Sequence, residues 1–310
     1  MNRRTVVIGS VLMILSVPVV LVAIDTVSFN GSNRSNGAFV SSGQKREYLL
    51  YVPRNYDRTK PTPLVISMHG AGGWPAQQMK LSGWNRLADA HGFIVVYPSA
   101  AEGVGPRIWH VDRGAGLMRD VKFISALIDT VAAAYHIDRS MIFANGLSNG
   151  GGMTFVLSCT LADRIAAFGM VAAAQTLPWS WCRDRRPAPM IAFHGTDDHL
   201  IRYRGGQSGI SQISFPNVVT WTKNWARRNQ CDDRPVDSVL AADVMRREYI
   251  KCAGDAAVVL YTITGGGHTW PGGTPMPEWW VGRTSNGVDA TSEQWKFFRE
   301  HPLSRNDNLH

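Results

Sequence analysis

No block of lysine and arginine stands out anywhere in the 310 residues, although the formal net charge is +8. With no such block and no nucleic-acid-binding motif, the positive balance reads as a basic, soluble exterior, and nucleic acid is excluded as the expected partner. No Cys-x-x-Cys pair occurs among the four cysteines, Cys159, Cys182, Cys231 and Cys252, so the sequence lacks the common redox and zinc-ribbon spacings. No internal repeat is visible, which argues against solenoids and propellers. Charged residues make up 18% and hydrophobic residues 45%, ordinary fractions for a globular protein. That balance excludes a disordered chain and predicts a sizeable buried core, in one large domain or two small ones.

An even number of cysteines suits an exported protein. Three pairings are open, and sequence proximity favours Cys159 with Cys182 and Cys231 with Cys252. The N-terminus agrees with export. Arg3 and Arg4 precede an uncharged run from Thr5 to Ile24, and Asp25 closes it. Residues 1–25 therefore read as a signal peptide or as an N-terminal membrane anchor through residues 5–24. The run is long for a signal peptide and no clean Ala-x-Ala site follows, which favours the anchor. Residues 26–44, rich in Ser, Asn and Gly, read as a flexible linker. They carry two glycosylation sequons, at Asn30 and Asn33. Residues 302–310 read as a tail.

Between them, over residues 45–301, short apolar runs alternate with helical stretches. Arg46 to Val52, Leu64 to Met68, Phe93 to Tyr97, Met141 to Asn145, Ala166 to Ala174, Pro189 to Phe193 and Val258 to Ile263 are expected strands. Gln77 to Gly92, Met118 to Tyr135, Asn149 to about Thr160, Phe215 to Arg228 and Asp289 to Arg299 are expected helices. In the second of these, Val121, Ile124, Ile128 and Val131 recur at helical spacing, which makes a core stripe. Asp120 near its start reads as a helix N-terminal charge. The alternation predicts an α/β domain with a mainly parallel central sheet and helices on both faces.

The chemistry concentrates where strands end. Gly146-Leu-Ser148-Asn-Gly150 follows one strand and opens a helix, so Ser148 sits on a sharp turn with its hydroxyl presented. A serine hydroxyl is a poor nucleophile at neutral pH and needs a base. His268, in Gly265-Gly-Gly-His268-Thr-Trp270-Pro after the last strand, can take and return the proton. A buried carboxylate would fix its tautomer, and Asp197 and Asp198 in His194-Gly-Thr-Asp197-Asp198-His199 both qualify. His194 and His199 are rival bases, but they lie beside the acid loop. Two backbone N–H groups should hold an oxyanion: Asn149, after the serine, and Ala71, from the loop His69-Gly-Ala71-Gly-Gly73.

These segments resemble the polyhydroxybutyrate depolymerase and feruloyl esterase group of secreted α/β-hydrolases. The resemblance is carried by His69–Gly73, Gly146–Gly151, Phe193–Tyr203 and Gly265–Gly273, within residues 45 to 300. It implies an α/β-hydrolase fold, an ester substrate, either a small molecule or a polymer, and neither metal nor cofactor. The family's Gly-Thr-x-Asp-x-x-Val-Pro-Tyr pattern, laid on this chain, makes Asp198 the acid. Ile201-Arg202 replaces Val-Pro, so a less rigid loop is expected. Cys231 and Cys252 look like the family's late cysteine pair. Trp270, Trp279 and Trp280 are expected to line an acyl or sugar pocket. Two other classes stay open: a serine peptidase, and a non-catalytic surface binding protein that kept the fold.

Overall fold

Apolar runs punctuated by Pro and Gly build a ten-stranded sheet. The computed structural model describes residues 35–101, 107–182, 186–209 and 213–304. The signal-or-anchor segment, residues 26–34 of the expected linker and the asparagines of both sequons lie outside the described residues. Among the described residues, no helix is long and apolar enough to cross a membrane.

The strands are β1 (Gly37–Ser41), β2 (Gln44–Tyr51), β3 (Thr62–Met68), β4 (Ile94–Pro98), β5 (Ile137–Leu147), β6 (Ala167–Val171), β7 (Met190–Gly195), the small pair β8 (Gly206–Gln207) and β9 (Ser214–Phe215), then β10 (Val236–Ala241), β11 (Val244–Tyr249) and β12 (Val258–Ile263). The helices are α1 (Pro75–Ser82), α2 (Trp84–His91), α3 (Ala115–Ala134), α4 (Asn149–Ser158), α5 (Val218–Arg228), α6 (Glu278–Val281) and α7 (Ala290–Glu300).

The sheet order is β1-β2-β4-β3-β5-β6-β7-β12-β11-β10. The six central strands, from β4 to β12, run parallel, and antiparallel pairs close both edges. Successive strand residues face opposite layers. Leu64, Ile66, Ile142 and Ala144 join Val121, Phe155 and Trp221 of α3, α4 and α5 on one face. Val65, Val95 and Phe143 join Trp84, Trp295 and Phe298 of α2 and α7 on the other. A parallel sheet covered on both faces places its strand ends, and the loops after them, at one rim.

Three expectations are corrected. The linker ends earlier than its composition suggests, because residues 37–41 form edge strand β1, paired to β2 with Phe39 opposite Arg46. An edge strand with one exposed face needs few apolar residues, so Ser and Gly do not exclude it. The tail begins later than 302, since Leu303 is 3% exposed and its N–H donates to the Ser140 carbonyl at 2.8 Å. The helix expected over Gln77–Gly92 is two helices, broken at Gly83, whose φ of +67° is left-handed.

Asp120 is also reassigned. Helix α3 starts at Ala115, and Asp120 lies in its second turn, 1% exposed. It is paired with Arg46, itself 2% exposed, at 2.8 Å. The same guanidinium donates to the Ser99 carbonyl and sits 3.9 Å from the Phe123 ring centroid. The second Asp120 oxygen accepts from the His110 backbone N–H and from Nδ1. Arg46→Met strands a buried carboxylate, and the expected cost is about 3–5 kcal/mol of unfolding free energy. Asp120→Leu in the same chain should restore most of it, and urea denaturation of the three proteins checks both expectations.

Candidate active site

Strand β5 runs into Ser148, whose φ of +55° and ψ of −119° lie where side-chain-bearing residues rarely sit. The turn is held by Ser148 N–H to the Val171 carbonyl and by Gly152 N–H to the Ser148 carbonyl, each at 2.9 Å. It is possible only without Cβ atoms beside it. A Cβ on Gly146 would sit 2.3 Å from the Gly150 carbonyl carbon, and one on Gly150 would sit 2.4 Å from the Met68 oxygen. Asn149 opens α4, so its N–H has no intrahelical acceptor.

His268 and Asp198 meet. His268 Nδ1 is 2.8 Å from Asp198 Oδ2, and the two residues are 4% and 3% exposed. Asp198 Oδ1 accepts from the Leu200 and Ile201 N–H groups at 2.9 and 2.8 Å. Burial alone would raise the carboxyl's pKa. The imidazoles of His268 and His194 more than offset that, and the net effect holds it well below the usual carboxylate range. An ionised carboxylate accepts, so Nδ1 of a neutral His268 carries the proton and Nε2 keeps its lone pair.

The rivals separate by position. Asp197 and His199 are exposed. Asp197 is bound to the hydroxyl of Thr196 and, through its N–H, to the Gly266 carbonyl. His194 is buried, and its Nε2 donates to the Ile201 carbonyl at 2.8 Å and also lies 3.3 Å from Asp198 Oδ2. It braces the acid loop. The 198–203 loop, expected to be less rigid, is tied by these bonds and by Tyr203 to Thr262 at 2.8 Å.

The loop of residues 69–73, expected to supply an oxyanion donor, is pinned by hydrogen bonds. Its Gly73 N–H returns to the Gly70 carbonyl, and Gly72 N–H donates to the Arg107 carbonyl. His69, 1% exposed, donates from Nδ1 to the Gly70 carbonyl at 2.7 Å and accepts at Nε2 from Ala100 N–H at 3.1 Å. That pairing requires a neutral ring, and burial pushes its pKa down to about 4. The ring titrates near 6.5 in the unfolded chain, so its share of stability is complete above that pH. It is lost as pH falls toward 4, by about 3 kcal/mol. Urea unfolding at pH 7 and pH 4.5 should show a larger acid loss for the wild type than for His69→Asn.

Sequence reasoning missed the Asn149 side chain. Its Oδ1 accepts from Trp109 N–H at 2.7 Å and its Nδ2 donates to the Trp109 carbonyl at 3.0 Å, clamping the 107–111 loop to the serine turn. The Trp109 indole donates to the His69 carbonyl at 3.1 Å. The one signal in the sequence was a tryptophan in a loop that precedes the serine.

Ser148 opens onto two cavities. One, of about 220 Å³, is walled by Ile108, Val111, Gly152, Thr176, Ile201 and Phe215 among others. The second, of about 90 Å³, is walled by Gln77, Gln78, Met276, Trp280 and His268. Ala71, Ser148 and Leu200 line both. Ser148 and His268 thus share a cavity, with Ala71 beside them. The three tryptophans part company. Trp280 is half exposed at the smaller cavity, whereas Trp279 is 85% exposed and lines neither. Trp270 is fully buried and donates to the Thr291 hydroxyl at 2.8 Å. It anchors the His268 loop to α7, and its expected pocket role is withdrawn.

The two disulfides join Cys159 to Cys182 and Cys231 to Cys252. Among the described residues, no cluster of His, Cys, Asp and Glu is arranged to hold a metal.

Residues 46–175 match the family described as esterase PHB depolymerase. Feruloyl esterase B of Piromyces equi is 31% identical over 229 residues, covering 72% of this chain and 42% of that protein. The chain therefore spans less than half the length of that relative. Feruloyl esterase C of Emericella nidulans is 26% identical over 271 residues, 87% of this chain and 86% of that protein. An acetyl xylan esterase from Aspergillus awamori superposes with a TM-score of 0.58 at 17% identity, over 86% of this chain and 96% of that one. With its α/β-hydrolase fold, the chain is thus similar to the polyhydroxybutyrate depolymerase and feruloyl esterase-like family, through the family match over residues 46–175 and the feruloyl esterases above.

Proposed function

We propose that the protein is an exported serine esterase that hydrolyses carboxylic esters through an acyl-enzyme. The observation that carries this reading is Asp198 Oδ2 at 2.8 Å from His268 Nδ1, beside a cavity that the imidazole shares with the strained Ser148. Ser148 Oγ attacks the ester carbonyl as its proton passes to His268 Nε2. The carbonyl oxygen, now negative, is received by the N–H groups of Ala71 and Asn149. Collapse breaks the bond to the alcohol oxygen, which takes the proton back from His268. Water then repeats the sequence and frees the acid and Ser148. Candidate substrates are hydroxyalkanoate esters and feruloyl- or acetyl-sugar esters. The disulfides support export. Incubation with a fluorophosphonate should add one phosphonyl group to the peptide that contains Ser148. An unlabelled protein, or a label on another residue, rejects the mechanism.

A further inference from the structure

Three consecutive glycines, Gly150, Gly151 and Gly152, occupy the first turn of α4, where each weakens the helix. Two of them have packing reasons. A Cβ on Gly150 would meet the Met68 backbone oxygen at 2.4 Å, and one on Gly151 would meet Ala173 Cβ at 2.4 Å. Gly152 is different. The nearest atoms to its missing Cβ belong to side chains, Thr176 Cγ2 at 2.9 Å and Val111 Cγ1 at 3.5 Å, and all three residues wall the larger cavity. Backbone packing does not demand a glycine there, but the open space of the cavity does.

The two cavities also differ in what they offer a substrate. His268 lines the smaller and not the larger. In acyl transfer the imidazole must hand its proton to the departing oxygen, so the alcohol has to lie on the His268 side. That side carries Gln77 and the half-exposed ring of Trp280, which suit a polyol or hydroxyacid, while Gln78 is buried with its Nε2 donating to Ser67 Oγ at 3.0 Å. The other side is walled mainly by Ile108, Val111, Ile201, Ile213 and Phe215, with no charged side chain among the described residues that line it.

We propose that the larger cavity is the acyl chamber, that the alcohol leaves beneath Trp280, and that Gly152 sets the size of acyl group admitted. This rests on Ser148 being the nucleophile. Gly152→Ala pushes Thr176 into the chamber and narrows it. With p-nitrophenyl acetate and hexanoate, which share a leaving group, the hexanoate-to-acetate ratio of kcat/KM should fall about tenfold or more. Thr176→Leu fills the same space from outside the serine turn and should move the ratio the same way, with no loss of Tm in either variant. Trp280→Ala should leave the ratio where it is and instead change the preference among alcohols at fixed acyl group. Equal losses on both esters in Gly152→Ala would assign the glycine to the turn and overturn the proposal, as would an unmoved ratio in both chamber variants. Fluorophosphonate labelling of the wild type separates the two levels. If Ser148 is labelled and the ratios stay put, only the chamber assignment falls. If Ser148 is not labelled, the nucleophile reading falls and the chamber with it.

Discussion

Ser148→Ala is expected to lower kcat for a chromogenic short-chain ester by about 10⁶-fold, because without the nucleophile the remaining groups of such a unit supply little. Fluorophosphonate labelling should vanish with it. The fold should not. Ser148 donates its backbone N–H to Val171 and accepts from Gly152, and alanine keeps both bonds. Alanine also keeps the strain, since φ of +55° with ψ of −119° is hostile to any residue with a Cβ. Ser148→Gly makes the useful partner. It is equally inactive, but it relieves a conformation that costs about 1–3 kcal/mol, partly offset by about 0.5–1 kcal/mol of added chain entropy. Its Tm should therefore exceed that of Ser148→Ala. Turnover by Ser148→Ala above a thousandth of the wild-type rate would show that the reacting group lies elsewhere.

The serine turn was legible from sequence because its causes are local. An apolar strand, two glycines and a helix start lie within a dozen residues, and each constrains the same bend. The order of serine, acid and base was legible because every loop after a parallel strand ends at the same rim. The choice between Asp197 and Asp198 was not legible from chemistry, since adjacent aspartates offer the same group. Only the fold turns Asp198 inward onto His268 and leaves Asp197 in solvent. Trp270 and Trp280 were equally ambiguous. Both follow glycine- and proline-rich stretches, yet the fold ties Trp270 to Thr291 at the start of α7, 21 positions on, and leaves Trp280 half exposed on the short helix α6. The hairpin of β10 and β11 went unread because an edge pair alternates weakly: Val236, Val239 and Leu240 are exposed. The buried pair of Arg46 and Asp120 joins residues 74 positions apart, which no local pattern signals.

Asp198→Asn tests how the acid acts, and its effect should be about 10⁴-fold on kcat with the fold retained. Asparagine has one oxygen where aspartate has two, and the site asks for acceptors at both. Leu200 and Ile201 present N–H donors to one position, and His268 Nδ1 and His194 Nε2 face the other. Two fixed backbone donors hold the amide oxygen in the first position, so the NH₂ group falls against His268. Nδ1 must then accept, the ring takes the other tautomer, and Nε2 carries a proton where it needs a lone pair. The opposite flip sets NH₂ against two N–H groups and breaks the loop instead. The variant thus loses general-base action, and fluorophosphonate labelling should slow in parallel with turnover. Asp197→Asn, at the exposed neighbour, should change kcat less than about threefold, since surface substitutions away from buried networks have small effects. A second readout lies in acid stability. The wild-type carboxyl is held ionised in the fold and contributes stability above its unfolded pKa, which is lost as pH falls through the folded value. Asp198→Asn should show a shallower loss at acid pH than the wild type. A variant that kept a tenth of the wild-type kcat would mean that His268 takes its tautomer from some other partner.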